Sequence, residues 1–92
     1  MNTPTIITMT GRVDIHRIAE LRDHARGAAG VVIDASAIEF VDNHALDALS
    51  DMGAAIAAPS DVVRVTLELT GRSLPTYQTE AAAVAASFAV AA

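Results

Sequence analysis

Val31-Val-Ile-Asp-Ala-Ser-Ala-Ile-Glu-Phe40, followed at once by Val41-Asp-Asn-His-Ala-Leu-Asp-Ala-Leu49, decides the fold. Val31-Val-Ile33 is an uninterrupted β-branched run, the mark of a strand buried on both faces of a mostly parallel sheet. After Asp34, residues Ala35 to Phe40 continue that strand, either straight or through a bulge. Ala45, Leu46, Leu49, Met52, Gly53 and Ile56 then follow at i, i+3, i+4 spacing, which predicts a helix buried along one side. A strand that runs through so short a turn into a helix brings the helix's unpaired N–H groups to the strand's carboxyl end, where α/β domains meet ligands and partners. The functional surface is therefore expected around Asp42, Asn43 and His44.

Working toward the N-terminus, Thr5 to Thr10 (TIITMT) predicts a short strand that ends in a turn at Gly11-Arg12. Asp14 stands where a helix N-cap belongs, with Ile15, Ile18, Ala19, Arg22 and Ala25 at helical spacing behind it and Gly27 and Gly30 bracketing the helix end. Toward the C-terminus, Pro59-Ser60-Asp61 stops the second helix. Val63, Val65, Leu67 and Leu69 alternate with Arg64, Thr66, Glu68 and Thr70, and this period of two predicts a third strand near a sheet edge. After a turn at Gly71-Arg72-Ser73, Leu74 to Ala92 reads as a helix with Pro75 in its first turn and Leu74, Tyr77, Ala81, Val84 and Phe88 on its apolar face. The expected fold is α/β: one small domain with a mostly parallel or mixed sheet built by right-handed βα crossovers.

Composition narrows the function. The chain has 92 residues and is 52% hydrophobic, but twenty of those residues are alanine, so at ~25 cal/mol/Å² the core rests on its Ile, Val and Leu positions. The formal charge is −5 and all six basic residues are arginine. Asp14, Glu20 and Asp23 interleave with Arg12, Arg17, Arg22 and Arg26, which argues against a nucleic-acid surface. The absence of cysteine removes disulfides, thiolate catalysis and cysteine-based zinc sites, and fits a reducing cytoplasm. Neither a targeting segment nor a membrane-inserting stretch is expected, since the longest apolar run, Ala81 to Ala92, is interrupted by Ser87 and falls short of the ~20 residues that span a bilayer.

Four segments carry a family resemblance: Met9-Thr-Gly-Arg-Val-Asp14, Ile18-Ala-Glu-Leu-Arg22, Val31 to Asp42, and the helix beginning at Ala45-Leu46. Together they resemble the STAS domain family, whose best-known members are bacterial anti-sigma-factor antagonists. That family shows an "sGelD" turn, a "peLR" helix, a "vvlDlsgvefiDSSgL" block and a "vrltlvgps" strand, the last set here against Val63 to Ser73. The resemblance implies a STAS-like domain over residues 1–92, C-terminally shortened, as in the compact STAS subunits of bacterial lipid-transporting ABC systems. Asp42 matches the family's acidic residue and Leu46 its helix leucine. Asn43 falls where the antagonists carry the phosphorylated serine, and His44 and Ala45 fall on the second serine and the glycine. An amide cannot take up a phosphoryl group as an ester, so Asn43 is a non-phosphorylatable equivalent. A phosphate there would add roughly −1.5 to −2 charge at a helix N-terminus, and Asn43 holds the surface in one charge state instead, which predicts a constitutive binder or a structural relic.

Plainer roles stand beside these. Asn43 reads first as a helix N-cap, with partner contact as a shared duty. His44 reads as an exposed first-turn residue, and Arg12 as an exposed arginine that could meet an anion or a partner carboxylate. Asp14 and Asp42 could form an acid–base pair, but each has a capping role and no serine or lysine stands beside them in an activating motif. His16 and His24 lie eight residues apart, ~12 Å along a helix, too far to share one metal ion.

The sequence thus predicts a non-enzymatic, cofactor-free protein-interaction module acting through Asp14, Asp42, Asn43, His44, Leu46 and Asp47. By resemblance, the partner is an anti-sigma factor with a kinase-like ATP-binding fold, sequestered to free a sigma factor. The alternatives are a subunit holding the ATPase of a lipid-transport ABC complex, and a small-molecule or nucleotide sensor using the helix N-terminus near Asn43. A thin core and a less covered sheet edge also favour self-association as a homodimer.

Overall fold

The computed structural model describes residues 5–25, 30–71 and 74–91, with residues 87–91 as backbone only. In chain order the elements are β1 (Thr5–Val13), α1 (Ile15–Ala25), β2 (Val31–Val41), α2 (Asn43–Asp51), β3 (Ala55–Ala57), α3 (Asp61–Thr70), β4 (Thr76–Tyr77) and α4 (Glu80–Ala91). The sheet order is β1-β2-β3-β4 and each pairing is parallel. The chain is thus an α/β domain of alternating strands and helices.

β2 is the spine. Val31 and Ile33 face one core with residues of α1, α2 and α3, while Val32 faces a second, smaller core with Ala55, Ala57 and Ala83. Beyond Asp34 the register against β1 slips twice, from Thr8↔Asp34 to Thr10↔Ala37 and from Gly11↔Ile38 to Arg12↔Phe40, and each slip adds one residue to β2. These are β-bulges, in which two residues face one. They turn the burial rhythm of β2 from two to three, so that Ala35, Ile38 and Val41 are buried while Ser36, Ala37, Glu39 and Phe40 are exposed. Gly11-Arg12, expected as a turn, lies inside β1. Gly11 takes a positive φ of 68° beside the second bulge and the strand runs on to Val13.

Three expectations for the helices between Ile15 and Thr70 fail in instructive ways. On α1 the buried residues are Ile18, Leu21 and Ala25, whereas Ile15, Ala19 and Arg22 face solvent. Gly27, the expected cap, lies outside the described residues. The second helix stops at Asp51: Met52 is its C-cap, and Gly53, at φ 68°, makes the left-handed turn that a side chain would strain. Ile56, expected on that helix, is instead the fully buried centre of β3.

The third correction is the largest, because Val63–Thr70, predicted as a strand, is helix α3. An alternating pattern also places residues i and i+4 on one helical side. Val63 and Leu67 are buried together, and Val65 and Leu69 lie exposed together. The β-prone threonines are accommodated by back-bonding: Thr66 Oγ1 donates to the Val62 carbonyl at 2.6 Å and Thr70 Oγ1 to the Thr66 carbonyl at 2.8 Å. Gly71, in the left-handed region, closes the helix. The preceding turn is stitched to the bulged part of β2, where Ser60 N–H donates to the Ala35 carbonyl at 3.1 Å and Ser60 Oγ to the Ile38 carbonyl at 2.8 Å.

The last helix begins at Glu80 rather than Leu74, because Pro75 precedes β4 and Thr79 Oγ1 caps α4 by accepting the Ala82 N–H at 3.1 Å. α4 covers the second face of the sheet through Ala83 and Val84. Leu74 belongs to the larger core, Ala81 is exposed, and the Phe88 side chain lies outside the described residues. No helix among the described residues is long and apolar enough to cross a membrane.

A helical 61–70 makes leucines two residues apart unequal. Leu67 is 8% exposed and Leu69 82%, so Leu67→Ala should cost about 2–4 kcal/mol and Leu69→Ala within about 0.5 kcal/mol of nothing. Denaturant unfolding of the two variants checks this. Equal losses would restore the alternating strand.

Candidate functional site

β1 and β2 end level, with Val13 paired to Val41 and the Asp42 N–H donating to the Val13 carbonyl at 3.3 Å. Neighbouring strands lie about 4.8 Å apart, so the aspartates that follow stand side by side at the carboxyl edge of the sheet. Each caps its own helix. Asp14 Oδ1 accepts the N–H groups of His16 at 3.1 Å and Arg17 at 3.3 Å. Asp42 Oδ1 accepts the Ala45 N–H at 2.7 Å. Two positively polarised helix ends are thereby placed together, and each is met by a carboxylate.

Asp42, not Asn43, is the N-cap of α2. Its backbone is extended (φ −98°, ψ 169°), whereas Asn43 is already helical. Asn43, His44 and Asp47 lie exposed at i, i+3 and i+4 spacings on the outer side of the helix. Leu46 is not part of this surface. At 1% exposure it packs in the larger core with Ala45 and Leu49, pointing away from any partner. The structure therefore brings together Asp14, Asp42, Asn43, His44 and Asp47, and assigns Leu46 to packing.

The second bulge adds a feature the sequence reading missed. Arg12 and Phe40 are register partners, and the guanidinium carbon of Arg12 lies 4.3 Å from the centre of the Phe40 ring. Phe40 remains 39% exposed. An exposed cation–π pair of this kind contributes about 0.5–1 kcal/mol and fixes both side chains in place. The signal was a lone phenylalanine two residues before Asp42, but a regular alternation does not reveal which way a bulged strand turns it.

A second constellation links the sheet to α4. Asp34 Oδ1 accepts the Ser36 N–H at 3.1 Å and the Ser36 hydroxyl at 2.9 Å. These bonds, backbone first, hold the Asp34 carboxyl below its ordinary range. Glu80, in the first turn of α4, shares a hydrogen bond with Asp34, and that bond, then slight desolvation of this exposed side chain, then the like charge, push its carboxyl up. At the carboxyl ends of β3 and β4 an open groove of about 480 Å³ is lined by Ala58, Pro59, Arg64, Thr76, Tyr77 and Gln78. Arg64 pairs there with Asp61, one helical turn away. Among the described residues no group of three or more side chains is arranged to hold a metal ion.

The two carboxyl shifts oppose each other. Raised, Glu80 contributes stability that is fully present below its ordinary value of 4.5 and lost as pH rises. Lowered, Asp34 contributes stability present above its ordinary 3.8 and lost as pH falls. Glu80→Gln keeps a donor toward Asp34 and removes the like charge. Its melting temperature should exceed that of the parent at neutral pH, and the gap should close as pH falls below 4.5. Thermal unfolding across that range checks both.

Comparison with known proteins returns no matching family model, no matching curated protein and no matching solved structure.

Proposed function

We propose that the chain is a non-catalytic protein-interaction module of the STAS type, docking through the carboxyl edge of β1 and β2. The observation that carries this reading is the paired arrangement of Asp14 and Asp42, each occupied in capping a helix, with Asn43, His44 and Asp47 exposed beside them and the Arg12–Phe40 pair at their flank. Carboxylates already bound to backbone N–H groups serve as fixed acceptors and charges. Arginine and aromatic side chains held in place are the residue types that dominate binding energy at protein interfaces. Val63–Ser73, against which the family's strand block was set, is helical through Thr70 and does not carry it.

The partner implied is an anti-sigma factor with a kinase-like ATP-binding fold, and binding regulates transcription by sequestering it. Asn43 stands exposed at the first helical position, where the family's serine would receive phosphate. The amide removes that switch and leaves the surface permanently in its binding state. A second reading, small-molecule sensing, is favoured by the groove beside Arg64 and Tyr77 rather than by the helix end near Asn43, where Asp42 and Asp47 would repel an anion. A thermal shift with phosphate or a dicarboxylate, lost in Arg64→Gln, would favour it.

Affinity capture with the native chain, Phe40→Ala and Asn43→Asp tests the docking reading. A soluble kinase-like ATPase should be recovered by the native chain. Phe40→Ala should weaken its binding about tenfold or more. Asn43→Asp should do the same while leaving the melting temperature unchanged or higher, because a carboxylate in the first turn favours the helix. Recovery of an ATPase with transmembrane partners would transfer the module to a transport complex, and binding indifferent to both substitutions would overturn the docking surface.

A further inference from the structure

We propose that the outer edge of β1 is a homodimer interface, where two copies pair antiparallel about a two-fold axis through Thr8 and join their sheets into one. The proposal is independent of the docking surface above. The sheet has two edges, and β4 at the far one is only Thr76–Tyr77. β1 is nine residues long, and among the described residues no element pairs with its outer side. Both bulges add their extra residue to β2, so Thr5 to Thr10 stays regular until Gly11. Edge strands that avoid pairing carry charges, proline or a bulge of their own, and Thr5–Thr10 carries none of these. In a chain of net charge −5, this edge also contains no acidic residue from Thr5 to Val13, so two copies meet there with least repulsion.

Backbone direction fixes the register. The Thr5 N–H donates to the Gly30 carbonyl and the Val13 carbonyl accepts from Asp42, so the odd residues of β1 turn their backbone groups toward β2. By the period of two, Ile6, Thr8 and Thr10 turn theirs outward. Opposed residues in an antiparallel pair share a face, and hydrogen-bonded pairs exchange both bonds. Thr8 against Thr8 of the second copy, and Ile6 against Thr10 in both directions, meets both conditions and uses every outward group from Ile6 to Thr10. Helices α1, α2 and α3 of both copies then lie on one side of the joined sheet and α4 of both on the other. Ile6, 46% exposed, stands opposite Thr10 of the second copy.

The chain has no native cysteine, so single introduced cysteines report the register. Sedimentation equilibrium of the full chain at tens of micromolar should give twice 9.5 kDa. Opposed Cα atoms about 5.5 Å apart fall within the ~4.4–6.8 Å span of a disulfide, so oxidised Thr8→Cys should become a covalent dimer. Ile6→Cys alone should not link, since its two copies would lie ~14 Å apart at ~3.4 Å per residue, but mixed with Thr10→Cys it should. Thr8→Lys, exposed in the monomer, should sediment at 9.5 kDa with an unchanged circular dichroism spectrum. A monomer at all concentrations, linking of Ile6→Cys to itself as readily as Thr8→Cys, or a dimer that survives in folded Thr8→Lys would overturn the proposal. If Thr8→Lys does not fold, the cysteine pairings decide.

Discussion

Two surplus residues in β2 govern what this domain presents. Burial of Val31, Val32 and Ile33 fixes the first half of the strand on both faces, and a regular continuation would have carried alternate side chains into the core as far as Val41. The bulges interrupt that alternation. They keep Ala35, Ile38 and Val41 inward, hold Phe40 outward under Arg12, and still deliver Asp42 level with Asp14. They also place the carbonyls of Ala35 and Ile38 where Ser60 can reach them, which anchors the turn into α3. The exposed aromatic, the paired caps and the position of α3 all follow from the same departure from regular pleating.

The parts of the fold legible in the sequence were those where local preference and burial agree. Val31–Ile33 could be read as a doubly buried strand, and Asp14 as a cap, because β-branched burial and an oxygen before an apolar stripe each have one dominant structural outcome. Val63 to Thr70 misled because its residue types favour strands and its alternation fits either period. Tertiary packing settled it: Val63 and Leu67 are buried in the core with Val62 packed against it, and Ser60 and Gly71 bound the helix at its two ends. β3 was hidden for the opposite reason, since three residues of which two are alanine carry almost no strand signal and are recruited by the neighbours they pair with.

The site was legible to the extent that it lies at strand ends. Asp42, Asn43, His44 and Asp47 follow from a strand–turn–helix reading, and the structure puts Asp14 beside them through the Val13–Val41 register. Of the two residues read as caps for α2, Asp42 takes the duty and Asn43 does not, because Asp42 has the extended backbone that a cap requires. Leu46 was claimed for the surface by resemblance, and helical geometry claims it for the core. The Asp34–Ser36–Glu80 contact joins residues more than forty positions apart, and no local pattern announces such a meeting.

The second face of the sheet has a different character from the first. Among the described residues its core is Val32, Ala55, Ala57 and Ala83 with Tyr77 and Val84 at the margin, mostly side chains smaller than the Ile, Leu and Val of the first face. Alanine on both sides of this contact lets α4 sit close against the middle of the sheet, so a larger residue at Ala83, which is fully buried, would wedge the helix away from Val32.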